Sequence, residues 1–248
     1  MKNIFLLNKK EGETPLEALE SFRAKNKKYK DAKMTYAGRL DPMASGLLLV
    51  LAGEEIKNKE RYLSLEKEYE FEILFGFATD TYDILGKIVA STNLPLIMRE
   101  SELQDKIKDN LKFFTGKFIQ KYPIYSSKTV KGKQLFVYAR SGIDVEIPER
   151  EVSVKELKFL ELRKIKSDKL LKNIEKRIRK VKGDFRQKEI VKLWRKNLNI
   201  GNSVFHIAKF KIRCSSGTYV RGIVNSLGEK IGIPALAFSI ERTKIGNF

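Results

Sequence analysis

The sequence predicts an α+β fold, and three observations carry that prediction. Residues 69–77 alternate, with Tyr69, Phe71, Ile73, Phe75 and Phe77 on one side and Glu70 and Glu72 on the other. This is the period-two pattern of a half-buried strand. Phe210, Ile212 and Cys214 alternate in the same way with Lys209, Lys211 and Arg213, and a helix face of Tyr219, Ile223, Leu227 and Ile231 follows. Between these blocks, Leu170, Ile174 and Ile178, then Ile190, Trp194 and Leu198, recur at four-residue spacing. Residues 165–200 therefore read as two amphipathic helices in a hairpin, interrupted at Gly183-Asp184. Strands and helices interleave with no long-period repeat and no low-complexity linker, so one domain over 1–248 is expected.

The remaining elements follow in chain order. Ile4–Leu7 is a strand. Thr14, Pro15 and Glu17 punctuate a helix start as N-cap, first helical residue and capping-box partner. The apolar run 46–53, bounded by glycines, is a buried strand or a short buried helix, which periodicity does not separate. "TDTYDILG" is a turn-rich loop, "GKIVA" a strand and 101–114 a helix; "KYPIYSSKTVKGKQLFVYARSG" is loop followed by short helix, and 151–163 a strand. His206 shares a face with Phe210 and Ile212, which makes it a core or edge histidine.

Composition excludes several classes of function. The 248 residues carry 50 Lys and Arg against 31 Asp and Glu, a net charge of +19, which suits a polyanionic partner: nucleic acid first, an anionic membrane surface second. Residues 165–200 alone hold nine Lys and four Arg against four acids, a net +9. One cysteine, Cys214, excludes an internal disulfide and Cys-cluster zinc sites, and one histidine, His206, excludes His-pair metal sites. No run approaches the ~18 apolar residues of a membrane span. Neither a metal nor another cofactor is expected, and the missing signal and single cysteine suit the cytoplasm.

Three segments carry chemistry. In "YAGRLDPMASGLL", Asp41 sits in a Gly- and Pro-bounded tight loop before a buried apolar run, a setting that can hold a carboxylate rigidly. In "CSSGTYVRGI", Arg221 falls in the first helical turn, where its charge opposes the helix dipole; a carboxylate partner such as Asp41 would justify it. Tyr69, near the start of the alternating strand, offers an aromatic face of the kind that stacks on bases. Read singly, each has a plainer role: Asp41 a turn residue or cap, Arg221 a solvated arginine, Tyr69 one more core aromatic.

Together these segments resemble the TruB-type tRNA pseudouridine synthases. "GRLDPMASGLL", "KEYEFEILFGFATDTYDILG", "YSSKTVKGKQLFVYARSGIDV", "CSSGTYVRGIVNSLGEKIG" and "ERTKIG" match that family in order and spacing over about 3–164 and 204–246. The resemblance implies the pseudouridine synthase catalytic fold, a mixed, mainly antiparallel sheet flanked by helices and loops. It implies isomerisation of uridine 55 in the T-loop of a tRNA bound through its T-stem-loop. It places Asp41 as nucleophile, Tyr69 as the stacking tyrosine and candidate proton acceptor, and Arg221 as the partner of Asp41. Tyr36, Arg39, Tyr219 and Ile240 fall on substrate-binding positions. Tyr36 replaces the family's usual histidine, Lys10 its usual proline, and Arg39 gives the GRLD form more typical of sister families that modify ribosomal RNA. The C-terminal PUA domain usual in the family has no counterpart, and the basic hairpin at 165–200 is an insertion expected to supply phosphate contacts instead. A monomer is expected. Modification of ribosomal RNA is the alternative within enzymes, and a non-catalytic RNA-binding or RNA-folding protein the alternative outside them.

Overall fold

The computed structural model describes residues 3–92, 98–198 and 203–248. In chain order its strands are β1 (Ile4–Lys9), β2 (Met34–Ala37), β3 (Ala44–Ala52), β4 (Lys67–Phe75), β5 (Phe77–Thr79), β6 (Ile88–Ser91), β7 (Gly116–Lys121), β8 (Thr129–Val130), β9 (Lys133–Gln134), β10 (Glu149–Lys166), β11 (Val204–Cys214) and β12 (Ala235–Ile245). The α-helices are α1 (Pro15–Lys25), α2 (Lys59–Leu63), α3 (Glu100–Asn110), α4 (Leu135–Ser141), α5 (Ser167–Ile178), α6 (Gln187–Leu198) and α7 (Val220–Ile231). Among the described residues the main sheet has eight strands. Seven run in the order β1-β3-β12-β4-β11-β10-β7, and β2 also pairs with β3. Of these pairings only β3 with β12 is parallel, in the register Ala44 to Ile240 and Gly46 to Arg242. The expected mixed, mainly antiparallel sheet is what the chain forms.

The sequence patterns decide what each face buries. Tyr69, Phe71, Ile73 and Phe75 on β4 join Ala208, Phe210 and Ile212 on β11 in one core layer, under Ile223, Val224 and Leu227 of α7 and Leu103 and Ile107 of α3. On the opposite face, Leu74, Ile207 and Leu236 meet the hairpin residues Leu170, Ile174, Ile190 and Trp194. Where the hairpin does not reach, that face is wet and laced by cross-strand pairs, Lys209 with Glu70 at 2.9 Å and Lys211 with Glu68 at 3.4 Å. Phe77 departs from the expected alternation. Gly76 at φ +103° ends β4, and Phe77 turns to the hairpin layer against Trp194 and Phe205.

The apolar run that opens at Gly46 is a strand, β3, with Leu48, Leu49, Val50 and Leu51 fully buried. The capping box of α1 forms as its sequence requires, Thr14 Oγ1 accepting from the Glu17 amide at 3.2 Å and Glu17 Oε2 from the Thr14 amide at 2.7 Å. The helix expected over 101–114 is α3 followed by one 3₁₀ turn, 111–114. The strand expected at 151–163 extends over all of β10. His206 is buried, and among the described residues neither ring nitrogen has a hydrogen-bond partner. Burial lowers its pKa, as suits a neutral core histidine.

The hairpin is α5 and α6; its expected final residues 199 and 200 lie outside the described residues. Trp194 is fully buried and donates its indole N–H to the Ile84 carbonyl at 3.2 Å. One face of this hairpin is thus part of the core, while Lys172, Lys176, Lys192 and Lys196 remain exposed on its outer side.

Candidate active site

Asp41 sits in the loop between β2 and β3, and neighbouring structure anchors this loop from below. Lys9, wholly buried at the end of β1, aims its ammonium at three carbonyl oxygens, those of Glu13 at 2.6 Å, Lys10 at 3.0 Å and Pro42 at 3.4 Å. Burial lowers the Lys9 pKa to about 8, even with Glu13 and Asp41 opposing the shift. The Gly12 amide donates to the Pro42 carbonyl at 2.8 Å, and the Ala44 amide to that of Asp41 at 3.0 Å. Arg242 of β12, also buried, donates to Leu47 O at 2.6 Å, Gly38 O at 3.1 Å and Arg39 O at 3.5 Å. Gly46 is required where β3 passes β12, because a Cβ there would lie 2.3 Å from the Arg242 carbonyl oxygen and its φ is +99°.

Arg221 enters from the first turn of α7 and is 3% exposed. Its Nε donates to Asp41 Oδ2 at 2.7 Å and its Nη2 to Asp41 Oδ1 at 3.0 Å, the bidentate pairing expected of a planar guanidinium. Nη1 donates to the Thr81 carbonyl, and Nη2 also reaches the Tyr125 carbonyl at 3.4 Å. Asp83 Oδ2 lies 3.8 Å from Nε. Burial alone would lower the pKa of Arg221, but Asp41 and Asp83 outweigh it and hold the guanidinium firmly charged. Asp83 is itself buried, which raises its carboxyl against the pull of Arg221; Thr81 Oγ1 and the Leu85 amide donate to it at 2.7 and 2.9 Å. Asp41 is the exposed end of the network, with 37% of its side chain open to the cleft.

That cleft has a volume of about 1210 Å³, and all seven residues singled out in the sequence line it. Tyr69 on β4 and Ile240 on β12 form an apolar wall. Burial raises the Tyr69 phenol pKa, a shift that neighbouring Arg242 opposes. Tyr219 is the N-cap residue of α7, and the Gln120 side chain accepts from its amide and donates to its carbonyl, both at 2.9 Å. Its phenol is likewise raised by burial and then by Asp41. Tyr36 on β2 is half-buried, and Arg39 is exposed at the rim.

Three participants were not singled out in the sequence. Asp83 lies in the loop "TDTYDILG", read only as turns, and nothing local tells its carboxylate from that of Asp80. Arg242 lies in "ERTKIG", a stretch matched only as a motif, with no role given to its arginine. Tyr125 contributes a backbone carbonyl, which side-chain chemistry cannot announce.

This arrangement can hold a carboxylate ionised and oriented beside an aromatic and apolar slot. Comparison with known proteins agrees with that chemistry. Residues 25–185 match the model of the TruB family pseudouridylate synthases, N-terminal domain. The chain is 35% identical over 216 residues to tRNA pseudouridine synthase B of Caldanaerobacter subterraneus, covering 87% of this chain and 60% of that protein. It is 32% identical over 248 residues to the same-named protein of Caldicellulosiruptor saccharolyticus, covering all of this chain and 69% of that one. Among solved structures it resembles a chain of a Cbf5-Nop10-Gar1 complex, with a TM-score of 0.56 at 18% identity over 98% of this chain and 49% of that one, a likeness of fold. With the matched segment running through the Asp41 loop, β4 and the Asp83 turn, the chain belongs to the TruB family of pseudouridylate synthases.

Proposed function

We propose that this chain is a tRNA pseudouridine synthase that converts uridine to pseudouridine at position 55 of the T-loop. The observation that carries this reading is the bidentate Asp41–Arg221 pair, buried on the arginine side and open to the cleft on the aspartate side. The reaction breaks the bond between C1′ and N1, turns the uracil, and joins C1′ to C5; nothing is oxidised and no group comes from outside. The base must leave its stack to be reached. Asp41, kept ionised by Arg221, serves as nucleophile at C1′ or stabilises positive charge on the sugar. Tyr69, Tyr219 and Ile240 form the slot in which the detached uracil rotates without escaping. Burial keeps the Tyr69 phenol protonated at rest, so accepting the C5 proton requires it to pass its own proton on. The relatives named tRNA pseudouridine synthase B support tRNA as the substrate.

Incubating the protein with unmodified tRNA and mapping pseudouridine tests the reading. Product at position 55 is expected. Product in ribosomal RNA alone would assign the chemistry to another RNA, a reading that the rim residue Arg39 favours. No product in either would leave an RNA-binding protein.

The exposed lysines of α5 and α6 are proposed to contact tRNA phosphates. Removing the whole hairpin would bare the core layer beneath it, so charge is the cleaner variable. Changing Lys172, Lys176, Lys192 and Lys196 to glutamine is expected to weaken tRNA binding and to flatten the dependence of log affinity on log salt by about 0.9 for each phosphate that is no longer neutralised. An affinity and slope equal to those of the parent would remove the hairpin from the RNA interface.

A further inference from the structure

Arg186 belongs to the basic hairpin by sequence, but its side chain turns inward. The hairpin tip is held by its own polar groups. Asp184 Oδ1 accepts from the Arg186 amide at 3.1 Å, Gln187 Oε1 accepts from the Phe185 amide at 2.9 Å, and Gln187 Nε2 donates to the Val181 and Gly183 carbonyls at 3.1 and 2.8 Å. Arg186 has a φ of +62°, a left-handed conformation that costs a non-glycine residue roughly 1 kcal/mol and persists where surrounding contacts demand it.

Those contacts join two loops distant in sequence. Arg186 Nη1 donates to Asp80 Oδ2 at 2.6 Å and to the Tyr125 hydroxyl at 2.7 Å, while Nη2 donates to Asp80 Oδ1 at 3.2 Å. The guanidinium lies 4.5 Å from the centre of the Tyr125 ring. Alongside it, Arg140 of α4 donates to the Asp184 carbonyl at 3.0 Å, tying the segment after Tyr125 to the same tip. The two loops that Arg186 joins are the two that grip the catalytic arginine. Thr81, next to Asp80, and Tyr125 supply the backbone carbonyls that accept from Arg221.

We propose that Arg186 is a positioning residue for the isomerisation: by tying Asp80 to Tyr125 it holds the Thr81 and Tyr125 carbonyls around Arg221, and so sets the orientation of Asp41. The inference rests on the synthase reading above. It gives the hairpin a task inside the active site, distinct from any phosphate contact by its outer lysines. A planar, forked donor is needed to meet both Asp80 oxygens and the Tyr125 hydroxyl at once, which lysine cannot reproduce.

The test measures Arg186→Ala and Arg186→Lys by single-turnover kinetics on unmodified tRNA, and by hydrogen exchange of the free protein. Arg186→Ala is expected to lower the maximal rate by about 10–100-fold, the range produced when a catalytic group is displaced by about an ångström. Half-saturation with tRNA should stay within about twofold. Amides in residues 79–83 and 123–127 should exchange faster, with Arg186→Lys falling between alanine and the parent in both readouts. An unchanged maximal rate with weaker tRNA binding would make Arg186 an RNA contact, and unchanged exchange in both loops would remove the tie; either overturns the proposal. Should Arg186→Ala fail to fold, Arg186→Lys carries both readouts. A parent protein that yields no pseudouridine would instead refute the synthase reading, while hydrogen exchange would still judge the tie.

Discussion

Asp41→Asn will yield a folded protein that binds tRNA and makes no measurable pseudouridine. The substitution keeps the shape of the side chain and removes its charge. An asparagine oxygen can still accept one hydrogen bond from Arg221, and Asp83, 3.8 Å from the same guanidinium, still offsets its charge. The stability cost is therefore expected to be about 1–3 kcal/mol, the penalty of an imperfectly satisfied buried polar group, rather than a collapse of the site. An amide neither attacks C1′ nor neutralises positive charge on the sugar. Turnover should fall by on the order of 10⁴-fold or more, as when other enzymes lose a nucleophile. Single-turnover assay beside filter binding separates the two properties. Pseudouridine formation within a hundredfold of the parent would exclude Asp41 as nucleophile.

Arg221→Lys will damage both stability and activity. Arg221 satisfies Asp41 twice, reaches two backbone carbonyls and faces Asp83, all from a side chain that is 3% exposed. A lysine ammonium is a point donor that cannot span this set. The expected loss is about 3–5 kcal/mol, the range for breaking a buried ion pair from one side, with turnover falling by at least about 10²-fold. The pH dependence has a definite sign. Burial already raises the Asp83 carboxyl, and Arg221 is the main group opposing that shift. With a poorer cation the folded variant keeps a proton that the unfolded chain gives up above its ordinary carboxylate range. Stability of the variant will therefore fall as pH rises out of that range, relative to the parent. Thermal unfolding at several pH values measures it, and a parent-like melting temperature with a parallel pH profile would contradict the network described for Arg221.

Much of this architecture was legible because local patterns and tertiary needs agree. The alternation of β4 and β11, the capping box of α1 and the four-residue spacing of α5 and α6 each bury what they were expected to bury. Asp41 and Arg221 were legible for a different reason. An acid between Gly and Pro and an arginine in the first turn of a helix are each locally unfavourable or constrained, and each looks for a partner. Residues whose roles arise only from distant pairing were hidden. Strand β12 was not read at all, because register shifts between Ala237 and Ser239 and between Arg242 and Lys244 break its alternation. Arg186 was counted among surface charges, since hairpin periodicity says which face is apolar but not where the tip points. Arg242 was hidden by its charge, which suggests solvent, whereas its carbonyl partners bury it.

The parallel pairing of β3 with β12 bears on how the molecule comes into being. Asp41 stands at the entrance to β3, and Arg221, 180 residues away, precedes β12. As the polypeptide leaves the ribosome, β1 and β2 can pair with β3 at once, but its first residues, 44–46, wait for β12 to be made, and β4 waits for both β11 and β12. Such long loops close late and slowly. A nascent chain therefore holds Asp41 without its guanidinium partner for most of its synthesis. The Asp41–Arg221 pair is thus a product of completed folding.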